Sequence, residues 1–305
     1  MFNVFDKNMQ QVQLPSDSLK YGILGTELYL SSISRRVTSE EVPGLPGTVR
    51  THVNDGTRTI DMRIIIHAMD EHDFKLKRNR LYTFFRRLGD FYISEEYEPN
   101  KLLKVSLDES YLPENPVGVA NWSRIEIPLS IVGLPYRVSR YTSMDIHNND
   151  IQFDGKWSAG MHLPAVGETV DGIYMDYQYV FENQTNIEVF NPSDIDLYVK
   201  QHLDCKIEFE CLSDMSEIRL LDDLSKEFVF RDSTLKAGDI VTIEGHRVKK
   251  NGSFVPADSN GSHPFNDVYP TLLSNYDEVY QQYSINEMQV SAGVKVSFDF
   301  RYKYD

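Results

Sequence analysis

His202, Cys205 and Cys211 come nearest in type and spacing to a metal-binding set, since an imidazole and two thiolates are good zinc donors. The residues between the thiols argue against it. Cys205, Ile207, Phe209 and Cys211 alternate with Lys206, Glu208 and Glu210, the period of two of a strand with one buried face. Six residues at about 3.3 Å each place the thiols roughly 20 Å apart, beyond the reach of a shared ion or a mutual disulfide. Both read as small buried hydrophobes. The histidines at positions 52, 67, 72, 147, 162, 246 and 263 include no HExxH pair and no cysteine partner, and read as structural or surface residues. The acid pairs Glu95-Glu96, Asp222-Asp223 and Asp277-Glu278 invite a glycosidase dyad, but adjacent residues of a strand point to opposite faces. Asn148-Asn149-Asp150 and Asp154 to Lys156 lack the ligand spacing of a calcium loop. There is no GxSxG elbow, Walker A loop or GxGxxG after a strand, and Gly44-Leu45-Pro46-Gly47 is a turn signal. Trp122, Trp157 and the many tyrosines suit a sugar-stacking platform as well as they suit a strand core. No catalytic, cofactor-binding or metal-binding residue is assigned, no cofactor is expected, and the chain is not expected to be an enzyme.

The elements that would have to position any site are mostly strands. Ile60, Met62, Ile64 and Ile66 alternate with Asp61, Arg63 and Ile65, as expected when one sheet face is buried and the other mostly wet. Leu103, Val105 and Leu107 repeat the pattern, as do Ile125, Ile127, Leu129 and Ile131. One segment breaks it. From Asp73 to Leu88, Phe74, Leu81, Phe84, Phe85 and Leu88 share a face at 3.6 residues per turn, which predicts a helix capped by Asp73 and ended by Gly89. Lys75, Lys77, Arg78, Arg80, Arg86 and Arg87 read as its solvated face, with a subunit contact as the other reading. No other helix is predicted, and the domain boundary is expected near Tyr136 to Tyr141, ahead of the polar, Asn/Asp-rich stretch Asp145 to Asp154.

The second half is more uniformly β. Val294, Val296, Phe298, Phe300, Tyr302 and Tyr304 alternate with Lys295, Ser297, Asp299, Arg301 and Lys303. Asn251-Gly252 predicts a two-residue hairpin, because that turn needs positive φ at both central positions. Asp239 to Glu244 is a further strand. Many short strands with Gly, Asn and Pro turns indicate a sandwich or a partly closed barrel rather than a βαβ core.

The chain has 305 residues, 41% of them hydrophobic, with 18 Tyr and 16 Phe, too rich in buriable surface for a disordered protein. Its charge of −15 is unevenly placed: residues 1–140 hold 18 basic and 18 acidic side chains, residues 141–305 hold 13 and 28. Two domains, 1–140 and 141–305, are expected. The negative excess argues against nucleic-acid binding, which draws its affinity from Lys and Arg at phosphates. Met1 to Leu14 has no basic leader and no apolar run, and no apolar stretch approaches the roughly 20 residues of a membrane span. Folding in the cytosol and no membrane association are expected, and two cysteines make no disulfide framework.

The order of these segments resembles the distal tail (Dit) proteins of siphophages that infect Gram-positive bacteria. The resemblance rests on Leu45-Pro46-Gly47-Thr48, the strand Arg58 to Ile64, the basic helix with Leu81-Tyr82-Thr83-Phe84-Phe85, the strands Leu102 to Leu107 and Trp122 to Ile131, and the closing Leu134-Pro135-Tyr136. Near the C-terminus, Gly238 to Ile243, the Asn-Gly hairpin and the strand ending in Phe298 to Tyr304 also fit. The segment 141–237 matches only as β-rich sequence, with Trp157 to Glu182 read as a loop or arm. The resemblance implies a mainly β fold of two β-sandwich domains. The N-terminal one carries a single α-helix and a hairpin and forms a homohexameric ring; the C-terminal one is galectin-like and serves for docking. It implies a place in the virion at the tail tip, assembled in the host cytoplasm, with the tail tube protein, the tape-measure protein, a tail-associated protein and receptor-binding or baseplate proteins as partners. The alternative function is a carbohydrate-binding or receptor-binding tail protein that adheres to host cell-wall glycans.

Overall fold

The computed structural model describes residues 1–16, 21–41, 47–113, 121–148, 160–202, 204–256 and 264–305. The chain is mainly β and divides into two compact units, Met1–Arg137 with Asp305, and Val138–Tyr304.

In the first unit the strands are β1 (Phe2–Phe5), β2 (Gln11–Val12), β3 (Gly22–Leu30), β4 (Arg35–Glu41), β5 (Thr48–Asp55), β6 (Ile60–His67), β7 (Phe91–Glu95), β8 (Lys101–Ser106) and β9 (Trp122–Ile131), with helix α1 (Glu71–Leu88) after β6. Seven of them follow the antiparallel order β2-β1-β7-β8-β9-β6-β3. Ile60, Met62, Ile64 and Ile66 point to the core, and register puts Met62 opposite Ile127 and Ile64 opposite Ile125, so the apolar residues of β6 and β9 meet on one face. Helix α1 lays Phe74, Leu81 and Phe85 against that face.

The helix departs from expectation at its start and on its basic face. It begins at Glu71, because Asp70 is the cap: its carboxylate accepts the Asp73 N–H at 2.8 Å. Asp73 instead lies in the first turn, accepting from Met69 N–H at 2.9 Å and from the Lys77 ammonium at 2.5 Å. Lys77 is therefore not part of the wet face; it is 2% exposed, its alkyl stem packed beneath the helix and its head held by Asp73. Gly89, at φ 64°, ends the helix and donates to Phe85 O at 3.2 Å.

β4 and β5 form a separate two-stranded ribbon, paired only with each other. Every residue of β4 is exposed, as are the described side chains of β5. The ribbon's base is tied by Ser34 Oγ donating to Thr57 O at 2.6 Å. The turn at Gly44 to Pro46 lies outside the described residues.

The second unit is a β-sandwich. One sheet runs in the order Val180–Glu182, Val294–Asp299, Lys206–Cys211, Ile240–Glu244, Arg247–Lys250, Ser253–Val255; the other runs Asn186–Val189, Asn286–Val290, Met215–Leu221, Glu227–Leu235. Phe209 of the first stacks on Phe228 of the second at 6.0 Å, and both are fully buried. Asn251 and Gly252 take φ 48° and 80° in the two-residue turn between Lys250 and Ser253, and the Asn251 side chain accepts from Ile240 N–H at 2.8 Å.

A second helix, α2 (Ser143–His147), which the sequence did not predict, overlaps the start of the polar stretch Asp145 to Asp154. Thr142 and Asp145 cap each other reciprocally, at 2.8 and 3.2 Å, which makes so short a helix stable in place. Its first residue also interrupts the last strand: Ser143 N–H donates to Phe300 O at 2.9 Å and Phe300 N–H to Ser143 Oγ at 3.0 Å, where ladder bonds would have run. Beyond this break, Lys303 is buried rather than outward, its ammonium held by Asp204.

Candidate functional site

The residues singled out for chemistry have structural employment. Cys205 and Cys211 are buried, free thiols at the two ends of one strand, and burial pushes both pKa values up, away from the reactive thiolate. Among the described residues, no group of three or more His, Cys, Asp and Glu is placed to hold a metal ion. His162 pairs with Asp194 at 2.9 Å and stacks on Tyr276 at 4.0 Å; His67 packs against Tyr21.

The carboxylate pairs likewise separate. Glu95 and Glu98 flank Arg137. Asp222 is buried and accepts the N–H groups of Leu224, Lys226 and Thr271 at 2.8–3.0 Å, closing a turn. Its neighbour Asp223 is exposed and accepts from Glu287 N–H. Asp277 caps a turn through the N–H groups of Val279 and Tyr280. Trp122 lies in β9; Trp157, His263 and the side chain of His52 lie outside the described residues.

His202 is the buried titratable group that strand periodicity does not reveal. It is 4% exposed with Nδ1 unpartnered, and its pKa is lowered to about 4, chiefly by burial and then by the Lys303 ammonium. A base depressed in the folded state and ordinary in the unfolded state stabilises the fold only while neutral. The second unit should therefore hold constant stability above pH 6.5 and lose about 3 kcal/mol between pH 6.5 and 4. Urea melts at pH 7 and 5 should show about 2 kcal/mol of this loss, and His202→Leu should flatten it; an unchanged slope in the variant would rule His202 out as the source.

What remains exposed and unexplained is surface. The β4–β5 ribbon carries Val37 directly opposite Val53, 43% and 49% exposed. Helix α1 is basic outward, with Leu76 48% exposed on a groove shared with Phe84, Arg80 and Arg87. Strand periodicity misses the ribbon because no core imposes alternation on it. The available signal is its β-branched content, Val37, Thr38, Thr48, Val49, Thr51 and Val53, around a Gly/Pro turn.

Residues 17–130, which span the ribbon, α1 and most of the first sheet, match the family model of the phage tail protein RIFT-related domain. No curated protein matches the chain in sequence. Among solved structures, the Dit protein (gp 19.1) of phage SPP1, described as a paradigm of the hub adsorption apparatus in Gram-positive infecting phages, covers 99% of this chain and 99% of its own at 13% identity, with a TM-score of 0.61. Two structures of the phage p2 baseplate in its activated conformation, with Sr and with Ca, cover 99% of this chain and 97% of theirs at 10% identity, with TM-scores of 0.40, too low to bear on the fold. The chain therefore carries a phage tail protein RIFT-related domain at residues 17–130 and shares the overall fold of the SPP1 Dit protein.

Proposed function

We propose that this tail protein is a hub. Six copies form a ring through residues 1–140 at the distal end of the tail tube, in contact with the tail tube, tape-measure and tail-associated proteins. Residues 141–305, a galectin-like sandwich in this reading, dock receptor-binding or baseplate proteins. The observation that carries it is the β4–β5 ribbon. A two-stranded ribbon with no third strand and no covering helix is marginal in water, so 21 residues spanning Arg35–Asp55 are best accounted for by a covering neighbour. The charge distribution supports the same division of labour. The first unit is nearly balanced, so copies can approach closely, while the second holds 14 basic against 27 acidic residues.

Light scattering on the full chain tests the reading. A mass about six times 35.3 kDa, with rings in negative stain, is the expected result; residues 1–140 alone should keep the ring. A monomer in both preparations would refute the assignment.

A further inference from the structure

One side of the second unit is hollowed into a groove of about 610 Å³, within the range of ligand-binding clefts. Its floor is the outward face of two paired strands, where Asn186 lies opposite Gln289 and Glu188 lies directly opposite Glu287, all four exposed. Asp223 borders the floor, its carboxylate accepting from the Glu287 N–H at 3.1 Å. The facing wall is the segment Ile173–Gln178, which presents Tyr174, 62% exposed. Among the described residues, no lysine, arginine or histidine lines the groove.

Like charges directly opposite on a sheet destabilise it. Several acids elsewhere in this unit are paired with cations: Glu208 with Lys206, Glu210 with Lys295, Glu217 with Arg219 and Arg231, Asp232 with Lys250. Glu188, Glu287 and Asp223 have no such partner among the described residues. Burial, with the nearby Glu287 and Asp222 carboxylates, raises the Asp223 pKa even though a backbone N–H bonds it. The groove is thus frustrated, and what relieves it must be cationic. An anion would be repelled, and a neutral sugar would leave the repulsion in place. The acids are not grouped to hold a metal ion. Arginine or lysine side chains satisfy opposed carboxylates, and their stems pack on an aromatic ring.

We propose that this groove docks a basic chain segment of a partner protein, with its arginine or lysine side chains on Glu188, Glu287 and Asp223 and Tyr174 packed along their stems. The inference rests on the hub reading and adds to it the chemistry of one docked partner. Fluorescein-labelled hexa-arginine, titrated into the full chain and followed by anisotropy, is the probe. The double variant Glu188→Gln/Glu287→Gln should weaken binding at least tenfold, whereas Asp108→Asn/Glu109→Gln, an equal charge change in the first unit, should weaken it less than twofold. Removing the repulsion should also raise the melting temperature of the groove variant by about 1–3 °C. Equal weakening by both variants, absence of hexa-arginine binding, or a lowered melting temperature in the groove variant would overturn the proposal. Saturable binding of chitohexaose that the groove variant abolishes would overturn it in favour of a glycan site. Light scattering on the same samples separates the two readings: an intact ring without peptide binding refutes the groove alone, and peptide binding without a ring refutes the ring alone.

Discussion

Replacing Asn286 by leucine is expected to cost the second unit about 3–5 kcal/mol and to lower its melting temperature by about 10 °C or more. Asn286 is fully buried in a strand, yet its side chain serves the loops around it. Its Oδ1 accepts the Leu273 N–H at 2.8 Å, and its Nδ2 lies within reach of Val189 O at 3.1 Å, Leu273 O at 3.0 Å and Asn275 Oδ1 at 2.6 Å. Asn275 Oδ1 also receives the Asn191 N–H at 2.7 Å, and Asn191 Nδ2 donates to Leu272 O and Leu273 O. Asn191 Oδ1 accepts from Ser193, whose Oγ in turn accepts the Lys303 N–H at 2.9 Å.

The backbone around Asn191 and Leu273 runs irregularly through the interior, where no ladder can satisfy it; side-chain amides do so instead. Leucine keeps the volume but orphans the Leu273 N–H and strips one donor from Val189 O, Leu273 O and Asn275 Oδ1, of which Asn191 still serves the last two; each group left unsatisfied costs roughly 1–3 kcal/mol where water cannot enter. Asn286→Asp should be at least as harmful, because it keeps the acceptor, loses the donors and buries a charge. Denaturant melts of the full chain monitored in the second unit give the measurement, and a loss under 1 kcal/mol for leucine would show the network to be dispensable.

Legibility in the sequence follows what imposes periodicity. Where a sheet has one dry face, residues such as Ile60 to Ile66 and Cys205 to Cys211 alternate, and both strands lie where the period puts them. Asn251-Gly252 is legible for a different reason, since few residues tolerate its backbone angles. Asn286 is not legible: in the alternation Asn286, Met288, Val290 it stands on the buried side as a polar residue, and only the loops it serves explain it. His202 and Lys303 are hidden similarly, because their burial comes from an irregular turn and a broken strand. The groove carboxylates lie on the wet side of regular strands, where Glu188 and Glu287 look like ordinary surface acids until register sets them face to face. Among the described residues the ribbon has no dry face and pairs with no third strand, so neither rule reaches it.

That ribbon supplies the second large effect. If the proposed ring of about six times 35.3 kDa forms through this ribbon, the double variant Val37→Asp/Val53→Asp is expected to convert it into monomers while leaving the melting temperature within about 2 °C. The two valines face each other across the ribbon, exposed, and touch no core cluster of their own unit, so the isolated chain loses little when they become polar. A neighbouring copy would lose much more. Each valine buried at a contact contributes about 1.5–3 kcal/mol, and an aspartate buried there adds an unpaired charge. Because one substitution pair recurs at every interface of a closed ring, the effect multiplies around it. A size measurement at several concentrations reads the outcome, with the melting temperature as the control for folding. Rings that persist in the folded variant would mean that the ribbon is not the contact, and the exposed outer face of α1, with Leu76 beside Arg80 and Arg87, would be the next surface to test.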